Sequence, residues 1–228
     1  TGEAGPLAQV IAGVEIALCD IAGKVAGVPL WKLFGGATEC VPVYASGVNP
    51  TSPEVIAAGA LDKGYQALKL KIGFGTERDT RNLAALRDLL GDDGELMADA
   101  NQAWDVHEAS AMLDKLAPFK LAWLEEPIAA DRPEREWRLI CDLADMPLAA
   151  GENVQGDDQF ASWLQSDILG VVQPDLAKWG GLSRTVPLAR QILASGKRYC
   201  PHYLGGGIGL VASAHALAAV GGDGMLEV

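Results

Sequence analysis

The sequence predicts an α/β chain built on parallel strands, and three observations carry that reading. Short, β-rich apolar runs recur roughly every 25 residues along the 228-residue chain. Amphipathic or Ala-rich stretches of helical pattern separate them. Each run after the first supplies an ionisable residue at its C-terminal end. Strand, crossover helix and strand at this spacing make parallel βα units, and eight such runs point to a barrel rather than an open sheet.

The opening segment "PLAQVIAGVEIALCDIAGKVAG" reads as a long helix placed before the first strand, packing under or beside a barrel. The expected strands are "VPVYAS" (41–46), "ALKLKI" (67–72), "ELMAD" (95–99), "LAWLEE" (121–126), "PLAAGE" (147–152), "LGVVQPD" (169–175), "KRYCPH" (197–202) and "MLEV" (225–228). Segments such as "SPEVIAAGALDKG", "RDTRNLAALRDLLG" and "VHEASAMLDKLAPF" supply the helices between them. No internal repeat beyond this beat, low-complexity tract or linker interrupts the pattern. One domain over 1–228 is expected, with an opening helix and linker in 1–40 and strands one to eight in 41–228. The chain does not begin with Met and stops on what reads as the start of a strand, so a piece of a longer chain is expected.

Hydrophobic residues make up 49% of the chain and charged residues 21%, which is enough apolar material for a soluble globular core. Net charge is −12, from 18 basic against 30 acidic residues, which argues against a nucleic-acid partner or an anionic membrane surface. Cys19, Cys40, Cys141 and Cys200 are scattered without a CxxC pair, so a reduced, cytoplasmic chain is expected. His107, His202 and His215 are too far apart for an HxH or HExxH metal site. No apolar run of membrane-spanning length and no leader pattern is expected.

The stretch "YQALKLKIGFG" poses a question of charge. Alternation puts Lys69 and Lys71 on one face of a strand, about 7 Å apart at roughly 3.3 Å of rise per residue. Two ammonium groups on a buried strand need an anion. The other strand ends supply candidates: Asp99 with Asn101 just beyond, Glu125 and Glu126, Glu152, Asp175, His202, and Glu227. Polar strand ends are ordinary where they meet solvent. One charged group per strand is not, and in a βα barrel those ends meet at one mouth, where catalytic groups sit.

The residue types point to a chemistry. Asp99, Glu125 and Glu152 come from three successive strands, and three hard oxygen donors without His or Cys favour Mg²⁺. Three carboxylates without a cation would repel one another. Lys71, beside Lys69 and a dication, is disfavoured in its charged form and so tuned toward a base. Asp175 on one imidazole nitrogen would fix the tautomer of His202 and leave the other nitrogen for proton transfer. A metal on a substrate carboxylate, with a base on each side, suits removal of the proton α to that carboxylate. Mg²⁺, Lys69 and a protonated Glu227 would stabilise the enediolate.

These motifs resemble the barrel domain of the enolase superfamily, and within it the mandelate racemase subgroup. The resemblance rests on "KLKIG", "DAN", "EEP", "GEN", "QPDLAKWGG", "PH" and "LEV" in that order, and on the lead-in "DIAGKVAGVPLWKLFGG". It implies a TIM-like modified (β/α)7β barrel lacking the family's N-terminal α+β capping domain. It implies Mg²⁺ on Asp99, Glu125 and Glu152, and acid/base roles for Lys71 and for His202 paired with Asp175. It also places Lys69 on the substrate carboxylate, Ser46 and Asn101 against substrate, and Glu227 on the intermediate. An Asp at 175 in place of a Lys favours the racemase-like subgroup. Lys178 matches a family position left without a role. The partners expected are a small carboxylate substrate and the capping domain of the same polypeptide, with a homo-oligomer as the assembly.

Other residues read as structure: His107 at an exposed helix start, His215 in helix packing, and Cys200 as a small filler near His202. The "GGGIG" turn, Gly205 to Gly209, is either an anion contact or a tight loop. The leading expectation is an acid-sugar (aldonate or aldarate) dehydratase. A racemase, epimerase or lactone cycloisomerase on the same residues stands beside it. A non-catalytic barrel is the reading from another class, disfavoured because no motif position is lost, and a hydrolytic metal barrel is disfavoured by the His-poor metal set.

Overall fold

In a computed structural model of the chain, residues 5–228 are described. Two helices come first, α1 (Pro6–Ala26) and α2 (Leu30–Leu33). Then β1 (Val43–Val48), α3 (Pro53–Leu61), β2 (Ala67–Lys71), α4 (Thr76–Leu90), β3 (Glu95–Asp99) and α5 (Val106–Leu116) alternate. They are followed by β4 (Leu124–Glu125), α6 (Glu134–Leu143), β5 (Leu148–Ala150) and α7 (Asp157–Gln165). The chain closes with β6 (Leu169–Val172), α8 (Gly181–Ala194), β7 (Arg198–Tyr199), α9 (Gly207–Val220) and β8 (Leu226–Glu227). Seven βα units and a final strand are the expected order of elements.

The chain divides into two compact units: Val43–Ala149, and the segments that flank it on either side. In the central unit the strands run parallel and the register lines up functional positions. Lys69 pairs with Met97 and Lys71 with Asp99 across β2 and β3. Asp99 pairs with Glu125 across β3 and β4, and Glu125 with Ala149 on β5. Lys71, Asp99 and Glu125 therefore occupy one row. Parallel strands covered on both faces read as continuous apolar runs. Accordingly, Leu68, Leu70, Leu96, Met97, Ala98 and Trp123 are all fully buried. The start of α5 follows from "DVHE": Asp105 accepts from the Glu108 amide while the Glu108 carboxylate accepts from the Asp105 amide. That reciprocal cap satisfies two amides that a helix start leaves open.

In the flanking unit, Val171 and Val172 of β6 pair in parallel with Arg198 and Tyr199 of β7. Its core gathers Ile16 of α1, Leu30 and Trp31 of α2, Leu182 and Val186 of α8, and Ala216 of α9. His215 packs there as the sequence suggested: its Nδ1 accepts from the Trp31 amide at 3.3 Å, and burial lowers its pKa. Cys200 is buried, with its Sγ accepting from the Met225 amide, and His107 is exposed in the first turn of α5.

One expectation needs correcting. Helix α1, at 21 residues and mean hydropathy 1.5, is long and apolar enough to cross a membrane by length and composition. Its outer face is apolar as well: Leu7, Val10, Ile11, Val14, Leu18 and Ile21 are all exposed. Beside it lies an apolar groove of about 850 Å³, lined from α1 by Ile16 and Ala17 and from α9 by Ile208, Val211 and His215.

Candidate active site

The central unit holds Lys69, Lys71, Asp99 and Glu125, together with Ser46, Asn101 and Glu126. Lys69 is wholly buried, and its ammonium donates to both oxygens of Glu125, at 2.8 and 2.9 Å. Asp99 lies 3.8 Å from the same ammonium. Lys71 donates to Asp99 Oδ2 from a side chain that is 24% exposed. The two lysines therefore differ in kind. Lys69 is a buried counter-charge beneath two carboxylates, and Lys71 is a reachable group at the strand's end.

Aromatic residues complete this cluster, and the charge pattern had not pointed to them. Lys69 Nζ sits 5.4 Å from the centre of the Tyr44 ring, which meets Trp123 edge-on at 5.5 Å. Trp123 Nε1 donates to Glu125 Oε2 at 3.2 Å. An ammonium over a ring face in a desolvated place gains real attraction, so the rings help to hold the cation inside. Trp123 stands two residues before Glu125, and the period of a strand puts both on one face. That signal was present in "LAWLEE".

The turns after β3 and β4 carry unusual backbone. Asn101, Gln102 and Glu126 have φ of 44°, 63° and 38°. Non-glycine residues in the left-handed region are uncommon, and a cluster of them marks a place where local strain is held by surrounding contacts. The Asn101 amide donates to Asp99 Oδ1 at 2.7 Å, while its side chain stays exposed. Ser46, on β1, is half-buried.

The flanking unit holds the second group. Asp175 Oδ2 meets His202 Nδ1 at 2.9 Å. Its other oxygen accepts from the amides of Ala177 and Lys178, at 2.8 and 3.0 Å. The carboxylate is thus clamped from behind, and the imidazole is oriented by it. His202 Nε2 contacts Glu152 and lies 3.9 Å from Glu227 Oε2. Burial would lower the His202 pKa, but hydrogen bonds to Asp175 and Glu152, with the charge of Glu227, outweigh it and push it up to about 10. Lys178 Nζ lies 3.8 Å from Glu152 Oε2, a contact that sequence reasoning left without a role.

Three of these residues sit beyond the strands expected to carry them. β5 ends at Ala150, β6 at Val172 and β7 at Tyr199. Glu152, Asp175 and His202 follow two or three residues later, on the loops. Asp99, Glu125 and Glu227 do close their strands. Among the described residues, no three His, Cys, Asp or Glu side chains are grouped as a metal site. Asp99, Glu125 and Glu152 each lie against a cationic side chain of their own unit.

Residues 54–228 match the family described as Enolase C-terminal domain-like. D-galactarolactone cycloisomerase of Agrobacterium fabrum is 34% identical over 234 residues, covering 97% of this chain and 61% of that protein. L-talarate/galactarate dehydratase of Salmonella typhimurium is 33% identical, covering 89% of this chain and 52% of that protein. Among solved structures, a mandelate racemase/muconate lactonizing enzyme from Bordetella bronchiseptica RB50 is 55% identical with a TM-score of 0.97. It covers all of this chain, which spans 63% of that one. An enolase from Bradyrhizobium, complexed with magnesium and mandelic acid, is 31% identical with a TM-score of 0.88, over 98% of this chain and 62% of its own. The chain therefore spans about half to three fifths of the length of the relatives it matches. Likeness over the full chain at this TM-score carries the expected fold with it, a (β/α)7β barrel of parallel strands. The chain belongs to the Enolase C-terminal domain-like family and stands, within the enolase superfamily, among the relatives of mandelate racemase.

Proposed function

We propose that these residues serve to remove the proton α to a substrate carboxylate through an enediolate, and that the net reaction of the whole protein dehydrates an acid sugar. The observation that carries this reading is a symmetry of partners. Each of the two candidate proton carriers, Lys71 and His202, rests on a carboxylate of the expected ligand set, Asp99 and Glu152 respectively. Kinship with a dehydratase of talarate and galactarate supports the substrate class.

The donor set fits a divalent cation. Asp99 and Glu125 are buried carboxylates in register with one another, and buried anions persist only beside positive charge. Together with Glu152 they offer hard oxygens of the kind that Mg²⁺ prefers. Magnesium in the Bradyrhizobium enolase supports that choice of metal. Bound by these three residues, Mg²⁺ would act as a Lewis acid on the substrate carboxylate and ease loss of the neighbouring proton.

The chain's own residues supply the rest. Lys69, held rigidly by Glu125, stabilises negative charge developing on the carboxylate. Lys71 and His202 work on opposite sides of the substrate. One takes the α-proton, and the other delivers a proton to the departing β-hydroxyl, which leaves as water. The C–H and C–O bonds break, a C=C bond forms, and the resulting enol tautomerises to a 2-keto acid. Asp175 keeps the His202 ring turned so that Nε2 faces the reaction. Glu227, protonated, donates to the enediolate, and Ser46 and Asn101 orient the substrate. A second reading, cycloisomerisation or racemisation by the same two groups, is favoured by kinship with the galactarolactone enzyme.

The exposed apolar face of α1 supports one further part of the reading. A capping domain of the same polypeptide would cover it and close the mouth, with the relatives' greater length providing the room. The four free cysteines, Cys19, Cys40, Cys141 and Cys200, support a cytoplasmic protein. A homo-oligomer is the assembly proposed.

The test uses the full-length protein and a panel of aldonates, aldarates and their lactones, scored for 2-keto acid and for α-proton exchange in D₂O. Lys71→Ala and His202→Asn should each abolish net dehydration, a loss of about 10²–10⁴-fold or more per group. His202→Asn should still exchange the α-proton through Lys71. Normal turnover by His202→Asn, or identical stereochemistry of exchange in both variants, would overturn the two-base assignment. Lactone conversion without 2-keto acid would favour the second reading.

A further inference from the structure

We propose that Gln102 is a positioning residue that locks the turn after Asp99 to the turn after Glu125, and so sets the geometry of the carboxylate pair offered to the metal. The inference rests on the proposed metal site and deepens it.

The contacts form a closed loop between the two turns. The Gln102 amide nitrogen of the backbone donates to the Glu126 carbonyl at 2.7 Å. Its side-chain Nε2 donates to Glu126 Oε2 at 2.8 Å, and its Oε1 accepts from the Ala130 amide at 3.3 Å. Both polar ends of one side chain are thus spent across the gap. The adjoining backbone is laced in the same direction, with the Ala100 amide on the Glu125 carbonyl at 3.0 Å and the Trp104 amide on the Pro127 carbonyl at 3.3 Å. Glu126 is 1% exposed, so its carboxylate depends on such partners.

Backbone conformation says why a lock is needed. Gln102, its neighbour Asn101 and its partner Glu126 all adopt the left-handed region. Left free, these turns would relax toward ordinary φ. Asp99 stands three residues before Gln102, and Glu125 one residue before Glu126. A relaxed turn would rotate either carboxylate out of the row in which Asp99 and Glu125 pair. Partners behind metal-binding carboxylates of this kind govern affinity as well as shape.

The experiment is Mg²⁺ titration of the full-length protein by calorimetry, with circular dichroism and melting curves as a check on folding. Gln102→Ala should bind Mg²⁺ about 10–100-fold more weakly. Gln102→Glu should also weaken binding, because it sets a carboxylate against Glu126. The exchange Gln102→Glu with Glu126→Gln restores one donor facing one acceptor and should recover most of the affinity. Wild-type affinity in Gln102→Ala, alongside lost binding in Asp99→Asn, would overturn the proposal while leaving the metal site intact. Weakened binding without recovery in the exchanged pair would make Gln102 merely structural and also overturn it. If Asp99→Asn itself binds as the wild type, the metal assignment falls and the proposal with it. Should Gln102→Ala fail to fold, the comparison of Gln102→Glu with the exchanged pair decides.

Discussion

Lys69 and Lys71 stand two residues apart on one strand, yet removing each should cost different things. Lys69 lies wholly inside, under Glu125 and near Asp99. Truncating it takes the cation away from the buried Glu125 carboxylate, and breaking a buried pair in this way costs about 3–5 kcal/mol. Lys69→Ala is therefore expected to lower the urea midpoint sharply. Lys71→Ala should scarcely move it, because its side chain reaches solvent. His202 adds a pH dependence. Its folded pKa, near 10, exceeds the unfolded value of 6.5, so its contribution to stability is complete below 6.5 and is lost as pH rises through 10. In chelator-treated protein, denaturation midpoints should fall over that window, and His202→Gln should flatten the profile. At this scale the titratable residues were legible, because charge on a buried strand is conspicuous. Tyr44 and the Gln102–Glu126 lock were not, because aromatic and amide residues carry no such mark, and Trp123 was marked only by its place two residues before Glu125.

At the scale of elements, α8 illustrates a helix start that local sequence does not explain. It has no side-chain cap of its own and no acid in its first turn. Glu15 of α1 fills that role, accepting from the amides of Leu182 and Ser183 at 2.7 and 2.8 Å. A carboxylate at a helix N-terminus satisfies open amides and favours the dipole. Gly181 makes room for it: a Cβ there would collide with the Glu15 carboxylate, and φ is +60°. Gly181→Ala should cost roughly 1–3 kcal/mol from the left-handed backbone alone, with the collision added. Glu15→Ala should cost about 1 kcal/mol, and calorimetric melting of both variants checks the order. Cys19 also donates to Glu15, and burial with that contact pushes its thiol up to about 12. At pH 8.5 a maleimide or iodoacetamide should therefore label exposed Cys40 well before Cys19, read by peptide mass mapping. The "WGG" run was visible in the sequence, but a partner 167 residues away was not. The strands were legible as runs. Their ends were not, because an apolar pattern continues past the last ladder bond into loops that carry Glu152, Asp175 and His202.

At the scale of the whole molecule, the repeated βα beat was the strongest signal in the sequence, and seven units with a closing strand followed from it. The apolar outer face of α1 was missed. A helical period shows one buried stripe, while Leu7, Val14 and Leu18 lie off that stripe and remain exposed. Contiguous apolar surface of this kind marks a contact or an aggregation liability. The 228-residue chain alone should bind a hydrophobic dye and associate as its concentration rises, and Val14→Lys with Leu18→Lys should suppress both. Light scattering and dye titration read the result, and a monomeric, dye-silent wild type would count against an uncovered face.

Gly151, the residue before Glu152, lies with φ +153° so close to β6 that a Cβ would come within 2.6 Å of the Gln173 nitrogen and 2.8 Å of its carbonyl oxygen. Any larger residue there must push the Glu152 turn away from the strand leading to Asp175. The steric demand on position 151 belongs to the fold, whereas the demand on position 152 belongs to the proposed chemistry. A duplicated gene freed from selection for turnover, but still required to make a folded product, should therefore lose its glutamate long before its glycine. Descendants of this chain that have drifted out of catalysis would be recognisable by a glycine with nothing left to position.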